Sequence, residues 1–237
     1  MRDFIDEFIF VFIEKDRWLL LAKGLCTTLL ITVCAVVLGL VLGFLVAIVR
    51  AAHDTRTGLR PLPSFLLKFF NAIAKVYLTI IRGTPVVVQL LIIYFVIFGS
   101  VDIDKILVSV IAFGLNSGAY VAEIMRSGIM SVDRGQMEAG RSLGLSYTQT
   151  MIRIILPQAF KNVLPALGNE IIVLLKETSV SGFIAVADLT KGGDVIRSAT
   201  YSAFFPLIAV ALIYLTIVMI LSRLVTWLEG RLRSSDH

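Results

Sequence analysis

Two carboxylates set the chemical question in this 237-residue chain, because both fall inside runs of apolar residues. Glu123 lies three residues before Arg126, the spacing of a local helix pair. Glu170 follows Asn169, and the one cation further along its own run, Lys176, is six residues away and poorly placed to pair with it. Ionisable groups at membrane depth are costly and usually face a cavity or a partner charge. A carboxylate beside an amide suits contact with a ligand ammonium or guanidinium group; it equally suits a hydrogen bond between helices. Gln89 and Tyr94 in one apolar run, and Asn116, Ser117 and Tyr120 in another, are the remaining polar groups able to line such a pathway or to hold helices together. This is recognition chemistry, not catalysis. The sequence holds no G-x-x-x-x-G-K-[ST] phosphate loop, its only histidines are His53 and His237, and no Ser/His/Asp, Cys/His or paired-carboxylate set occurs. Cys26 and Cys34, eight residues apart in one apolar segment, are too far apart to bridge and read as packing residues. No catalytic residue, metal ligand or cofactor is expected.

A second kind of chemistry resides in a polar interruption, Glu138 to Pro157, which reads EAGRSLGLSYTQTMIRIILP. Arg141, Ser142, Tyr147, Thr148, Gln149 and Arg153 are too polar for hydrocarbon, while Ala139, Leu143, Leu145 and Met151 supply apolar contact points. Such a segment suits a short helix pressed into a groove on a soluble partner.

The elements that must carry these residues are membrane helices. The chain is 57 % hydrophobic and 16 % charged, with a mean hydropathy of +0.90. A bilayer core needs roughly 20 apolar residues per helix. Five segments meet that: about Leu25 to Val49, Val76 to Phe98, Ile106 to Met125, Val163 to Val186 and Ala203 to Trp227. With the amino terminus outside, the inner side holds twelve cations against five acids and the outer side eight against ten. That is +7 against −2, so the net charge of +5 reports orientation and not nucleic-acid binding. The first apolar cluster, Phe8 to Ile13, is short and follows acids, so no cleavable signal peptide is expected. Phe4, Phe8, Val11 and Phe12 form an amphipathic stripe on the outer side. Pro61 and Pro63 separate the first span from a basic amphipathic helix, in which Lys68, Asn71, Lys75 and Thr79 recur among Phe65, Leu66, Phe69, Phe70 and Ile73. At Arg82-Gly83-Thr84-Pro85 a bend is expected, as a structural elbow or a moving hinge, with Arg82 reaching to headgroups.

Glu138, Ala139, Gly144, Ile154, Leu156 and Pro157 fall at the spacing of the "EAA" loop of ABC importer permeases, with Gly140 where that pattern has alanine. Further blocks extend the match over nearly all of residues 24–231. They are Gly24-Leu25 with Thr27-Thr28-Leu29, and Arg82 to Pro85 with Gln89 and Tyr94. Next come Tyr120 to Ile129, Gly135-Gln136, Pro157-Gln158-Ala159, Leu164 to Glu170 and Lys176 to Ser179. The chain thus resembles the permease subunits of bacterial type I ABC importers for polar amino acids, the histidine, glutamine, arginine and opine group. The resemblance implies an all-α protein of the cell membrane, one permease domain over residues 1–237 (core about 24–231) with a cytoplasmic coupling loop at about 130–160 between the third and fourth spans. It implies a second permease subunit, identical or paralogous, a cytoplasmic ATPase dimer that hydrolyses the ATP, and an extracytoplasmic solute-binding protein. Gly135, Glu138, Ala139, Gly140, Gly144 and Pro157 would then meet the ATPase. A permease of this architecture for another polar solute is the alternative. A secondary transporter is disfavoured, since no inverted repeat is visible.

Overall fold

The computed structural model describes residues 3–55 and 61–233, and among them there is no β-strand. The described residues form ten α-helices: α1 (Phe4–Phe8), α2 (Trp18–Thr55), α3 (Pro61–Gly83), α4 (Val86–Ile92), α5 (Lys105–Met130), α6 (Arg134–Ser142), α7 (Tyr147–Thr150), α8 (Leu156–Glu177), α9 (Leu189–Thr200) and α10 (Phe204–Arg233). Wide-turn segments extend α1 through Ile13 and α4 through Ile97, and another at Met151–Ile155 joins α7 to α8.

Three helices are long and apolar enough for a crossing by themselves: Trp18–His53, Lys105–Met130 and Phe204–Arg231. A fourth crossing is available if the broken pair Phe65–Gly83 and Val86–Ile97 counts as one. The expected fourth span, about Val163 to Val186, corresponds to α8 followed by a tight-turned segment at Thr178–Ile184. Lys161, Asn162, Asn169, Glu170 and Lys176 keep α8 too polar to pass as a crossing by composition. The break between α3 and α4 has a local cause. Proline has no N–H to continue the ladder, and it disfavours helix at the residue before it; Pro85 takes extended angles (φ −63°, ψ 137°) and α4 starts at the next residue.

The chain packs as two compact units. The first comprises residues 3–37, 85–114 and 172–221. Its core joins Val11, Phe12, Leu21, Leu189, Ile196, Phe205 and Val210. The outer-side stripe expected at the start of the chain divides: Val11 and Phe12 are buried, whereas Phe4 and Phe8 stay exposed and lay their rings against Phe205. Asp188, fully buried, caps α9 by accepting from the Lys191 N–H at 2.7 Å, and also accepts from the Gly182 N–H at 3.0 Å. Burial raises its carboxyl above the usual aspartate range, against the pull of those backbone donors.

The second unit comprises residues 38–55, 61–84, 115–171 and 222–233. Here α2 and α5 approach backbone to backbone. A methyl added at Gly39 would lie 2.9 Å from Ser117 Cβ, and one at Gly43 would lie 2.5 Å from Val121 Cγ1. Small residues four apart let membrane helices close in this way. Tyr77 on α3 ties itself to α5 by donating to the Leu115 carbonyl at 2.6 Å. The face of α3 turned inward runs through Asn71, Ala74 and Leu78, while Phe65, Phe69, Phe70, Ile73, Val76 and Ile80 are exposed. The polar row expected there therefore splits, with Asn71 buried and Lys68, Lys75 and Thr79 exposed. Of the residues behind the charge count and the histidine inventory, Arg2, Arg56, Arg60, Asp236 and His237 lie outside the described residues.

Candidate functional site

Glu170 sits on α8, five residues beyond Pro165, and is only 9 % exposed. Gly168 brings the same stretch close to α10, where an added methyl would meet Val225 Cγ2 at 2.6 Å. Ser117, fully within the α5 interior, donates its hydroxyl to Glu170 Oε1 at 2.9 Å. Of the pathway residues expected from sequence, the structure brings these two into contact. Asn116 is buried beside Ser117, while Asn169 is exposed next to Glu170. Gln89 and Tyr94 belong to the first unit. Gln89 is buried on α4; the Tyr94 ring meets Phe95 at 4.8 Å and the Lys105 ammonium at 5.9 Å.

Tyr120 takes part in a second cluster, together with Glu123, whose expected local pair with Arg126 is present and is joined by a partner far along the chain. Glu123 Oε1 accepts from Arg126 at 3.3 Å, and Oε2 accepts from Arg82 at 3.2 Å, across 41 residues of chain. The Arg82 guanidinium also lies 5.8 Å from the Tyr120 ring centre. Arg82, expected to reach headgroups, also pins the end of α3 to α5, and it does so immediately before the Gly83-Thr84-Pro85 break. Half-exposed ion pairs of this kind contribute about 0–1 kcal/mol each, so the cluster positions helices more than it stabilises them. Asn162 on α8 adds a further tie, donating to Ser131 Oγ at 2.9 Å.

The polar interruption forms α6 and α7. Asp133 caps α6 by accepting from the Gly135 N–H at 2.6 Å. Ser146 and Gln149 form a reciprocal capping box at the start of α7. Between the two helices Gly144 adopts φ +84°, a region that side chains rarely enter, and nothing lies within 4 Å of the position a methyl would take. Gly144 is therefore a turn requirement rather than a close-approach one. Gly140 is the reverse case. It is buried, and an added methyl would lie 2.5 Å from Thr150 Cγ2 and 2.9 Å from Thr150 Oγ1. The threonine methyl thus occupies the space that alanine would need. Gly135, Glu138, Ala139, Gly144 and Pro157 are all exposed, as is Leu143 at 81 %. The loop presents an apolar knob between polar residues.

Sequence reasoning missed the Arg82–Glu123 pair, the role of Thr150 and the Gly39/Gly43 contact. For the last a signal existed, since two glycines four residues apart in an apolar run mark a close helix contact.

Long apolar helices, polar groups buried along them and a capped, exposed helical loop define a polytopic membrane protein. Residues 64–234 match the family described as binding-protein-dependent transport system inner membrane component, and the chain belongs to that family. It is 38 % identical over 216 residues to the arginine transport system permease protein ArtQ of Bacillus subtilis (strain 168), covering 90 % of this chain and 93 % of that protein. It is also 38 % identical over 217 residues to the glutamine transport system permease protein GlnP of Escherichia coli (strain K12), with the same coverage. A solved structure described as an amino acid ABC transporter with histidines superposes with a TM-score of 0.82 at 39 % identity, covering 98 % of this chain and 99 % of that one. A methionine ABC transporter, MetNI, shares the fold at a TM-score of 0.67 and 21 % identity, covering 92 % and 96 %. The protein is a multi-pass membrane permease, the translocating component of an ABC transport system.

Proposed function

We propose that this permease moves polar amino acids inward, with Glu170 lining the route and reading the charge of the solute. The observation that carries the reading is a nearly buried carboxylate on α8, held by Ser117 of α5 at 2.9 Å. In a low-dielectric setting such a charge interacts strongly with an ammonium or guanidinium group. Asn116, Tyr120, Asn169, Gln89 and Tyr94 are proposed as further pathway groups, and the Arg82-Gly83-Thr84-Pro85 segment as the elbow. The names of the relatives, which include arginine and glutamine permeases, support the solute class.

In this reading residues 1–237 act as one permease domain with five crossings, the amino terminus outside and the carboxyl terminus cytoplasmic, supported by the charge split of +7 against −2. The loop at about 130–160 then faces the cytoplasm. Gly135, Glu138, Ala139, Gly140, Gly144 and Pro157, with Leu143 as the apolar knob, form the contact with a partner ATPase dimer. A second permease subunit and an extracytoplasmic binding protein complete the importer.

Glu170→Gln tests the central point, because it keeps the size and the acceptor for Ser117 but deletes the charge. In the assembled transporter, uptake of a cationic amino acid should fall far more than uptake of glutamine, at a protein level equal to wild type. Equal losses at equal expression would assign Glu170 to helix packing.

A further inference from the structure

A cavity of about 450 Å³ in the second unit is lined by Arg50, Lys75, Leu78, Thr79, Arg82, Gly83 and Glu123. Three helices contribute to it: Arg50 from α2, Lys75 to Gly83 from α3, and Glu123 from α5. Its charges do not balance. Three cations face one carboxylate, and that carboxylate is already shared between Arg82 and Arg126. Arg50 and Lys75 have no ion-pair partner among the described residues, and the Arg50 Nε is buried with no hydrogen-bond acceptor. A buried donor left without a partner costs free energy. Leaving cations from separate helices side by side costs more, unless an anion joins them.

We propose that this cavity binds a phosphate group, supplied by an anionic phospholipid or by a soluble phosphate monoester. Phosphate oxygens accept several charge-assisted hydrogen bonds at once, from guanidinium and ammonium donors arriving from different directions. The Arg50 guanidinium, the Lys75 ammonium and the outward part of the Arg82 guanidinium supply donors of that kind. The surroundings favour the lipid source. The same α3 that provides Lys75 and Arg82 exposes Phe65, Leu66, Phe69, Phe70 and Ile73, an apolar face suited to the boundary between acyl chains and headgroups. Basic pockets between membrane helices are a recurrent way of holding anionic headgroups. The bound phosphate would also tie α2 to α3 next to the Arg82–Glu123 pair, bracing the segment that leads into the break at Pro85. The inference is independent of solute identity and of the orientation proposed above.

The test uses the purified, delipidated full chain in detergent, with binding followed by native mass spectrometry. Phosphatidylglycerol, phosphatidylcholine and glycerol 3-phosphate are titrated separately. Phosphatidylglycerol should bind about fivefold or more tighter than the zwitterionic lipid, and Lys75→Gln should remove about fivefold of that affinity. Lys68→Gln, an exposed lysine on the same helix outside the cavity, should leave it unchanged. Arg50→Gln should act like Lys75→Gln; if it does not yield folded protein, the exposed Lys75 still decides the matter. Binding of glycerol 3-phosphate with the same sensitivity to Lys75→Gln identifies a soluble phosphate as the ligand, whereas binding of phosphatidylglycerol alone identifies the lipid. Equal affinity for both lipids with no response to glycerol 3-phosphate, or equal effects of Lys75→Gln and Lys68→Gln, overturns the proposal.

Discussion

Replacing Gly140 with the alanine usual at that place of the loop pattern is expected to harm this chain, and a second change should undo the damage. The added methyl would stand 2.5 Å from Thr150 Cγ2, where ordinary contacts begin near 3.4 Å, so something must move by nearly 1 Å. Overpacking of a closed contact costs about 1–3 kcal/mol. The better helix propensity of alanine returns up to about 1 kcal/mol, leaving a net loss of up to about 2 kcal/mol. Thr150→Ser alone deletes a fully buried methyl, a loss of about 1 kcal/mol, and keeps the hydroxyl that donates to the Ser146 carbonyl at 3.1 Å. In the double variant the new methyl fills the space vacated at residue 150, so most of both losses disappear. A double-mutant cycle should therefore show a coupling energy of at least about 1 kcal/mol in favour of the pair. For a chain of this size 1 kcal/mol corresponds to about 2–4 °C of melting midpoint, readable by thermal unfolding of the purified protein. Gly140→Ala should melt up to about 8 °C low, and the double variant within about 3 °C of wild type. Additive losses in the double variant would refute the steric account of this glycine.

Gly144→Asp combines a positive-φ strain of roughly 1–2 kcal/mol with a charge on the exposed turn; it should leave membrane insertion intact but lower ATP-driven uptake at least tenfold, and normal uptake would remove the loop from coupling. With Cys26 and Cys34 replaced, an impermeant thiol reagent on intact cells should label Asp102→Cys and spare Leu143→Cys, both positions being exposed; the opposite pattern would reverse the proposed orientation. Because burial favours the neutral form of Asp188 in the folded chain, the stability it contributes is complete below the ordinary aspartate range. That contribution is lost as pH rises through the raised value. Asp188→Asn keeps an acceptor for the Lys191 N–H and should flatten the fall of the melting midpoint as pH rises above the ordinary aspartate range, whereas an unchanged slope would show that Asp188 is not the titrating group.

The parts of the molecule legible in sequence were those governed by near neighbours. Pro85 announced the end of a helix because proline acts on its own residue and the one before it. The polar loop declared itself by the contrast between Arg141 or Gln149 and the apolar runs around it. The sequence was silent where partners lie far apart in the chain. Arg82 and Glu123 are separated by 41 residues and Ser117 and Glu170 by 53, so helical spacing could assign Glu123 only its neighbour Arg126. The split of the polar row on α3 was hidden for a related reason. Periodicity identifies two faces of a helix but not which one the protein covers, and packing turned Asn71 inward while leaving Lys68, Lys75 and Thr79 exposed. The fourth expected span does not stand out by composition because α8 gives up hydropathy to carry Lys161, Asn162, Asn169, Glu170 and Lys176.

Gly39 has no functional group, yet it governs one. Its missing methyl would stand 2.9 Å from the Cβ of Ser117, the same serine whose hydroxyl engages Glu170. A side chain there acts as a wedge driven behind the hand that holds the carboxylate. In a mutational scan, alanine at 39 should therefore score with substitutions at 170, although the two positions are on different helices. The effective boundary of the site is drawn by steric leverage, and part of it consists of an atom that this chain must not have.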